Sequence, residues 1–243
     1  MLFGSRLLGS RLFGWILALA AMTLFAGLGH WQLGRRVEKQ AQLDAAQRVL
    51  SERMPRALSF AADAQQARAY DWAAGEGYFV DAPAVLLDNQ QREGRIGVRI
   101  YRLFQPAGDS ASLLVELGWL PVQGERVMPD VPRSEGSIRL EGLLSPPPSP
   151  GLARATAVPQ PNGVLLATAL DADQLRAALH ADKLAPRVLR LDPRLPMGYA
   201  RDLDILPNTL PPQKHLGYAV QWFALALAVL VTALVLTFRK AKP

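Results

Sequence analysis

Two apolar runs, one near each end of the chain and none between, constrain this sequence more than any other feature. Leu12–Gly29 and Leu216–Phe238 contain no charged residue. As helices rising 1.5 Å per residue, each reaches about 27 Å or more, the depth of a bilayer's hydrocarbon core. The chain of 243 residues is therefore expected to divide into an N-terminal tail (1–11), a first span (12–30), a central segment (31–214), a second span (215–238) and a C-terminal tail (239–243). The central segment is long enough to bury a core of its own.

The first run also admits a reading as a cleaved signal peptide, since Arg6 and Arg11 make a basic start and Ala18-Leu19-Ala20 offers small residues for cleavage. It continues through Met22, Leu24, Phe25 and Leu28, longer than a signal core, which favours a retained anchor. Arg6 and Arg11 before the first span, with Arg239, Lys240 and Lys242 after the second, predict cytoplasmic termini and an exported central domain. Arg35, Arg36 and Lys39 argue the other way, but long loops cross largely regardless of charge. Too few residues precede the span for a separate organellar presequence, so the expected location is a bacterial inner membrane with a periplasmic domain.

Within the middle, Arg35–Arg53 lacks Gly and Pro, and Val37, Leu43, Val49 and Leu50 recur at helical spacing. This predicts a stalk helix continuing the first span and ending before Pro55. Asp63–Ala69 predicts a short helical turn. Strand patterns follow at Tyr78–Val80, Val85–Leu87, Ile96–Tyr101, Leu113–Leu117 and Ile138–Glu141, with turns at Gly108-Asp109 and Gln123-Gly124-Glu125. Pro146–Pro150 breaks regular structure, and the chain reads as loop to Asn162. A last block reads strand (Val164–Ala167), helix (Asp171–His180, capped by Asp171) and strand (Arg187–Leu191). The proline-rich stretch could divide two domains, but neither half has strands enough to close a core. The predicted fold is two transmembrane helices flanking one extramembrane α+β domain with a mainly antiparallel sheet.

The formal net charge of +6 raises nucleic acid as a partner. Several of those charges flank the spans, where cations meet anionic lipid head groups, and no nucleic-acid motif is present, so nucleic-acid binding is excluded. With no cysteine, disulfide frameworks, thiol nucleophiles and thioether-linked haem are excluded as well. No nucleophile elbow, phosphate-binding loop or paired-histidine metal motif occurs, so the chain does not read as an enzyme.

The histidines are His30, His180 and His215. His180 ends the short amphipathic helix and reads as a solvated residue complementing the helix dipole. His215 lies in the first turn of the second span, where free backbone N–H groups favour a neutral imidazole, the form an axial iron ligand requires. His215, Tyr218 and Trp222 fall at i, i+3 and i+7, with Gln221 flanking that face. Residue types leave two readings open: the edge of a site for a planar apolar cofactor, or an aromatic belt at a membrane surface.

Leu28–Arg36 (L-G-H-W-Q-L-G-R-R) and His215–Phe223 (H-L-G-Y-A-V-Q-W-F) resemble the motifs that close the first span and open the second in the surfeit locus protein 1 family. Gly75–Phe79, Val85–Gln90 and Leu114–Pro121 are similar to that family's intervening blocks, in order. One departure is plain: Glu116-Leu117 stands where the family often has Asn-Arg. The resemblance implies an assembly factor for cytochrome c oxidase that binds haem a and assists its delivery to the catalytic subunit, with His215 as axial ligand to the haem iron. A haem-free scaffold stabilising an oxidase subunit is the alternative. Trp31, Tyr218 and Trp222 would enclose the haem. His30 falls at a variable position of the motif, yet an antiparallel hairpin would bring it to the same level as His215. Implied partners are the catalytic subunit, the haem a synthase and membrane lipid.

Overall fold

The structure, a computed structural model, describes residues 2–108, 110–122, 124, 127–149, 155–205 and 210–239, with side chains from Leu12 onward. Asp109, Gln123 and Glu125 of the expected turns, and the flanking Lys240 and Lys242, lie outside the described residues; so do the side chains of Arg6 and Arg11.

Two long helices dominate the ends. No proline interrupts α1 (Leu2–Glu52), which runs unbroken from the apolar segment through the polar stalk. It stops where Arg53 takes a positive φ of 45°, two residues before Pro55. α3 (Pro212–Phe238) starts on a proline, which is well placed there because the first helical N–H has no partner within the helix. Between them lie β1 (Arg56–Ala57), two short 3-10 turns (Leu58–Ala62, Ala64–Gln66), β2 (Asp71–Phe79), β3 (Val85–Arg92), β4 (Arg95–Pro106), β5 (Ser112–Pro121), β6 (Ile138–Ser145), β7 (Ala157–Pro159), β8 (Leu165–Ala167), α2 (Ala172–Leu179) and β9 (Leu184–Leu191).

The chain forms two compact units. One comprises α1 as far as Leu43 together with α3; the other spans Asp44–Asn208. Within the helical unit, Ala18, Gly29, His215 and Ala219 are covered while Leu12, Ile16, Leu24, Val220, Leu227 and Leu236 are each more than half exposed. Both helices are long and apolar enough to cross a membrane. So much outward apolar surface is far beyond what water tolerates, and hydrocarbon is the solvent it suits.

In the second unit, neighbouring pairs run β2–β6, β6–β9, β9–β5, β5–β4 and β4–β2, closing a five-strand ring. The expected mainly antiparallel sheet is corrected here: the sheet is mixed. A closed ring must return to its starting direction, so its antiparallel pairings are even in number, and five strands force at least one parallel pair. That pair is β5–β9. Two further parallel pairs, β1–β2 and β3–β8, lie outside the ring.

Alternation along the strands sorts the side chains. Ala73, Phe79, Ile100, Phe104, Leu113, Val115, Leu140, Leu144 and Leu189 form one buried core. Tyr101, Leu103, Leu114 and Val188 point to the opposite face, where Leu175 and Leu179 of α2 cover them. Burying each such leucine contributes about 1.5–3 kcal/mol. Asp171 caps α2 by accepting from the Gln174 N–H at 2.9 Å. Gln174 does not complete a reciprocal box; its side chain donates to the Ala155 carbonyl instead. Gly118 sits at a register shift on β5 with φ +126°, and a Cβ there would lie 2.7 Å from the Tyr199 carbonyl oxygen. Only glycine serves both demands.

Candidate functional site

The helical unit assembles its inner face from two matching stripes. On α1, Phe25, Gly29 and Gln32 fall at i, i+4 and i+7; on α3, His215, Ala219 and Trp222 repeat the spacing. Antiparallel packing then sets Gln32 against His215 and Phe25 against Trp222. His215 Nδ1 lies 2.7 Å from Gln32 Oε1. The Phe25 and Trp222 rings stack with centroids 5.6 Å apart and planes 27° apart. Between these layers, Gly29 admits the Phe223 ring: a Cβ at Gly29 would lie 2.8 Å from it. A Cβ at Gly27 would meet nothing within 4 Å, so the close approach of the helices is at Gly29. At the far end, Trp15 Nε1 donates to Thr237 Oγ1 at 3.0 Å. A largely apolar groove of about 550 Å³ opens there beside Gly14, Ala18, Ala21, Ala228 and Thr232.

The geometry at His215 fixes a tautomer. An amide oxygen can only accept, so Nδ1 carries the proton and donates it. In a neutral ring the lone pair then resides on Nε2, the nitrogen available to a metal. A hydrogen bond from the other ring nitrogen to an oxygen is how metal-binding histidines are ordinarily oriented. His215 is buried, at 7% exposed. Among the described residues no group of three or more acidic or imidazole side chains could hold a metal ion, so any ligation at this site rests on very few donors.

The other expected site residues are distributed unequally. Trp222 is on the inner face beside Phe25. Tyr218, Trp31 and His30 are exposed, with Tyr218 at 41% and Trp31 at 56%. His30 and His215 therefore do not share an inner face. His180 is the exposed C-cap of α2, in the left-handed conformation. Phe25 and Phe223 carry no signal by residue type, and Gln32, a polar residue of the first-span motif, has no role assigned by the sequence. The signal that finds Gln32 and Phe25 is the i, i+4, i+7 stripe through Gly29.

A second polar constellation lies in the other unit, on the outer side of β4, β5 and β9. Glu116, at the departure from the family pattern, is buried and holds Arg99 Nη1 at 2.7 Å, with Arg190 Nε 3.3 Å from its second oxygen. Tyr101 donates its hydroxyl to Glu116 Oε2 at 3.3 Å. Burial, then the neighbouring Glu116 carboxylate, pushes the Tyr101 hydroxyl well above its ordinary range. Closed by its own ion pairs, this cluster reads as a structural lock between β4, β5 and β9.

Compared with known protein families, residues 19–227 match the SURF1 family, which covers most of the chain. No curated protein matches the chain.

Proposed function

Because the chain belongs to the SURF1 family, whose association is with cytochrome oxidase assembly, we propose that it binds haem a at the neck of its helical hairpin and assists delivery to the oxidase catalytic subunit. The family stands for assembly factors rather than catalytic enzymes, and the role proposed is transfer, not catalysis.

One observation carries the reading: His215 is buried and donates through Nδ1 to Gln32, which leaves the Nε2 lone pair free to act as a ligand. Trp222, Phe25 and the groove beyond them offer apolar surface to a macrocycle that is itself poorly soluble in water. Trp31 and Tyr218, exposed in the same turns, would turn inward to enclose it. A single protein ligand suits a carrier, because a cargo held by one displaceable nitrogen can be released. The helices cross the inner membrane with both termini cytoplasmic and the barrel in the periplasm, where it recognises the oxidase subunit or the haem a synthase.

The test is genetic and spectroscopic. In a host that assembles a haem a oxidase, His215→Ala should insert normally yet lower the haem a content of the assembled oxidase, while His180→Ala leaves it unchanged. An unchanged oxidase spectrum in the His215→Ala strain would favour a haem-free scaffold instead.

A further inference from the structure

A second cavity, wholly within the barrel unit, has a buried cation that makes no ion pair among the described residues. Four arginines are buried among the described residues: Arg99, Arg102, Arg187 and Arg190. Three of them hold carboxylates, Arg99 and Arg190 through Glu116 and Arg187 through Asp71 at 2.6 Å. Arg102 is the exception. It falls on the side of β4 that carries Ile100 and Phe104, and its guanidinium meets only backbone oxygens, those of Ala82 at 3.1 Å and of Val131. Its buried Nε–H has no hydrogen-bond partner, as is also true of Arg99, Arg187 and Arg190, so the missing carboxylate is what sets it apart. Buried charges are normally paired, because burial without compensation costs several kcal/mol.

This residue also lines a cavity of about 490 Å³ with Ala82, Val131, Arg133, Asn162 and the rim residues Asp81 and Asp130. Burial first, and then the Arg133 guanidinium, lower the Arg102 pKa from its ordinary value. The more distant Asp81 carboxylate opposes this without overcoming it. Of the rim acids, Asp81 acts on Arg102 only through space and lies 3.5 Å from Arg133, while Asp130 accepts from Asn162 at 3.0 Å. The volume exceeds what a single ion fills.

We propose that this cavity is a binding site for a small organic anion, whose carboxylate or phosphate group is held by Arg102 and Arg133. Arg102 supplies a fixed charge on the floor, and Arg133, one-third exposed, a movable one at the side. The acidic rim repels large polyanions, so the ligand is small.

Calorimetric titration of the full-length protein in a non-ionic detergent tests this, with succinate and inorganic phosphate as probes and chloride holding ionic strength constant. The expected result is saturable binding of one or both probes at one per chain, weakened at least tenfold by Arg133→Gln and by Arg102→Lys. Succinate alone binding would place the site among carboxylate receptors, and phosphate alone among phosphate receptors. Arg133 is partly exposed, so Arg133→Gln folds even where a change at Arg102 does not. Absence of saturable binding by either probe, or undiminished binding in folded Arg133→Gln protein, would overturn the proposal.

Discussion

The His215 Nδ1–H donates to Gln32 Oε1 over 2.7 Å, linking two side chains 183 residues apart in sequence. One short hydrogen bond thus ties the stalk side of α1 to the first turn of α3 and sets which imidazole nitrogen stays free. Gln32→Leu removes the acceptor. Nitrogen-15 spectra of the His215 ring should then shift from the Nδ1–H form toward the Nε2–H form that free imidazole side chains favour in water. Retention of haem should fall about tenfold, the lower end of what losing such a partner costs a metal site. An unchanged ring spectrum would show that Gln32 does not set the tautomer.

Glu116 neutralises two buried guanidiniums at once. Glu116→Leu leaves Arg99 and Arg190 buried without it, and removing one partner of a buried pair costs about 3–5 kcal/mol. The thermal midpoint of the full-length protein should fall sharply. Replacing the exposed, partnered Asp173 on α2 should barely move it, since surface pairs contribute about 0–1 kcal/mol.

Tyr101 gives a pH dependence with a definite sign. Its folded-state pKa is raised above the ordinary value near 10, by burial and by Glu116. The folded state therefore holds this proton more tightly than the unfolded state does. Its contribution is fully present below about pH 10 and is lost as pH climbs beyond it. Tyr101→Phe should flatten the fall in stability above pH 10 and leave the curve near neutrality unchanged in shape, as followed by circular dichroism.

Some of this architecture was legible in the residues, and what was not has physical causes. The apolar runs announce both long helices, and the missing prolines predict that the first continues as a stalk. The Asp171 cap was readable because its short side chain has one obvious N–H to accept from. The start of β2, Asp71-Trp72-Ala73-Ala74-Gly75, has poor strand propensity and forms because seven residues pair in register with β6. β7 lies in a proline-rich stretch read as loop, and only its pairing with β8 makes it a strand. The mixed sheet follows from ring closure, a property of strand number that no local pattern records. At the neck, His215 and Trp222 stood out by type, whereas Gln32 became significant only through helix rotation. That rotation turns Phe25, Gly29 and Gln32 inward and leaves the adjacent His30 and Trp31 outside.

Basic residues flank both apolar helices on the sides away from the barrel segment, as Arg239 does after α3. That bias predicts cytoplasmic termini. A reporter active only in the periplasm, fused after Pro243, should be inactive, and the same reporter inserted at Asp109 should be active. High activity of the C-terminal fusion would reverse the topology.

The most direct measurement is the haem a content per chain of full-length protein purified from cells that make haem a, alongside His215→Ala and His30→Ala. The wild-type protein should carry haem a, His215→Ala should carry little or none while remaining folded and inserted, and exposed His30 should be replaceable without comparable loss. Wild-type protein devoid of haem, or His215→Ala protein carrying as much as wild type, would contradict the account.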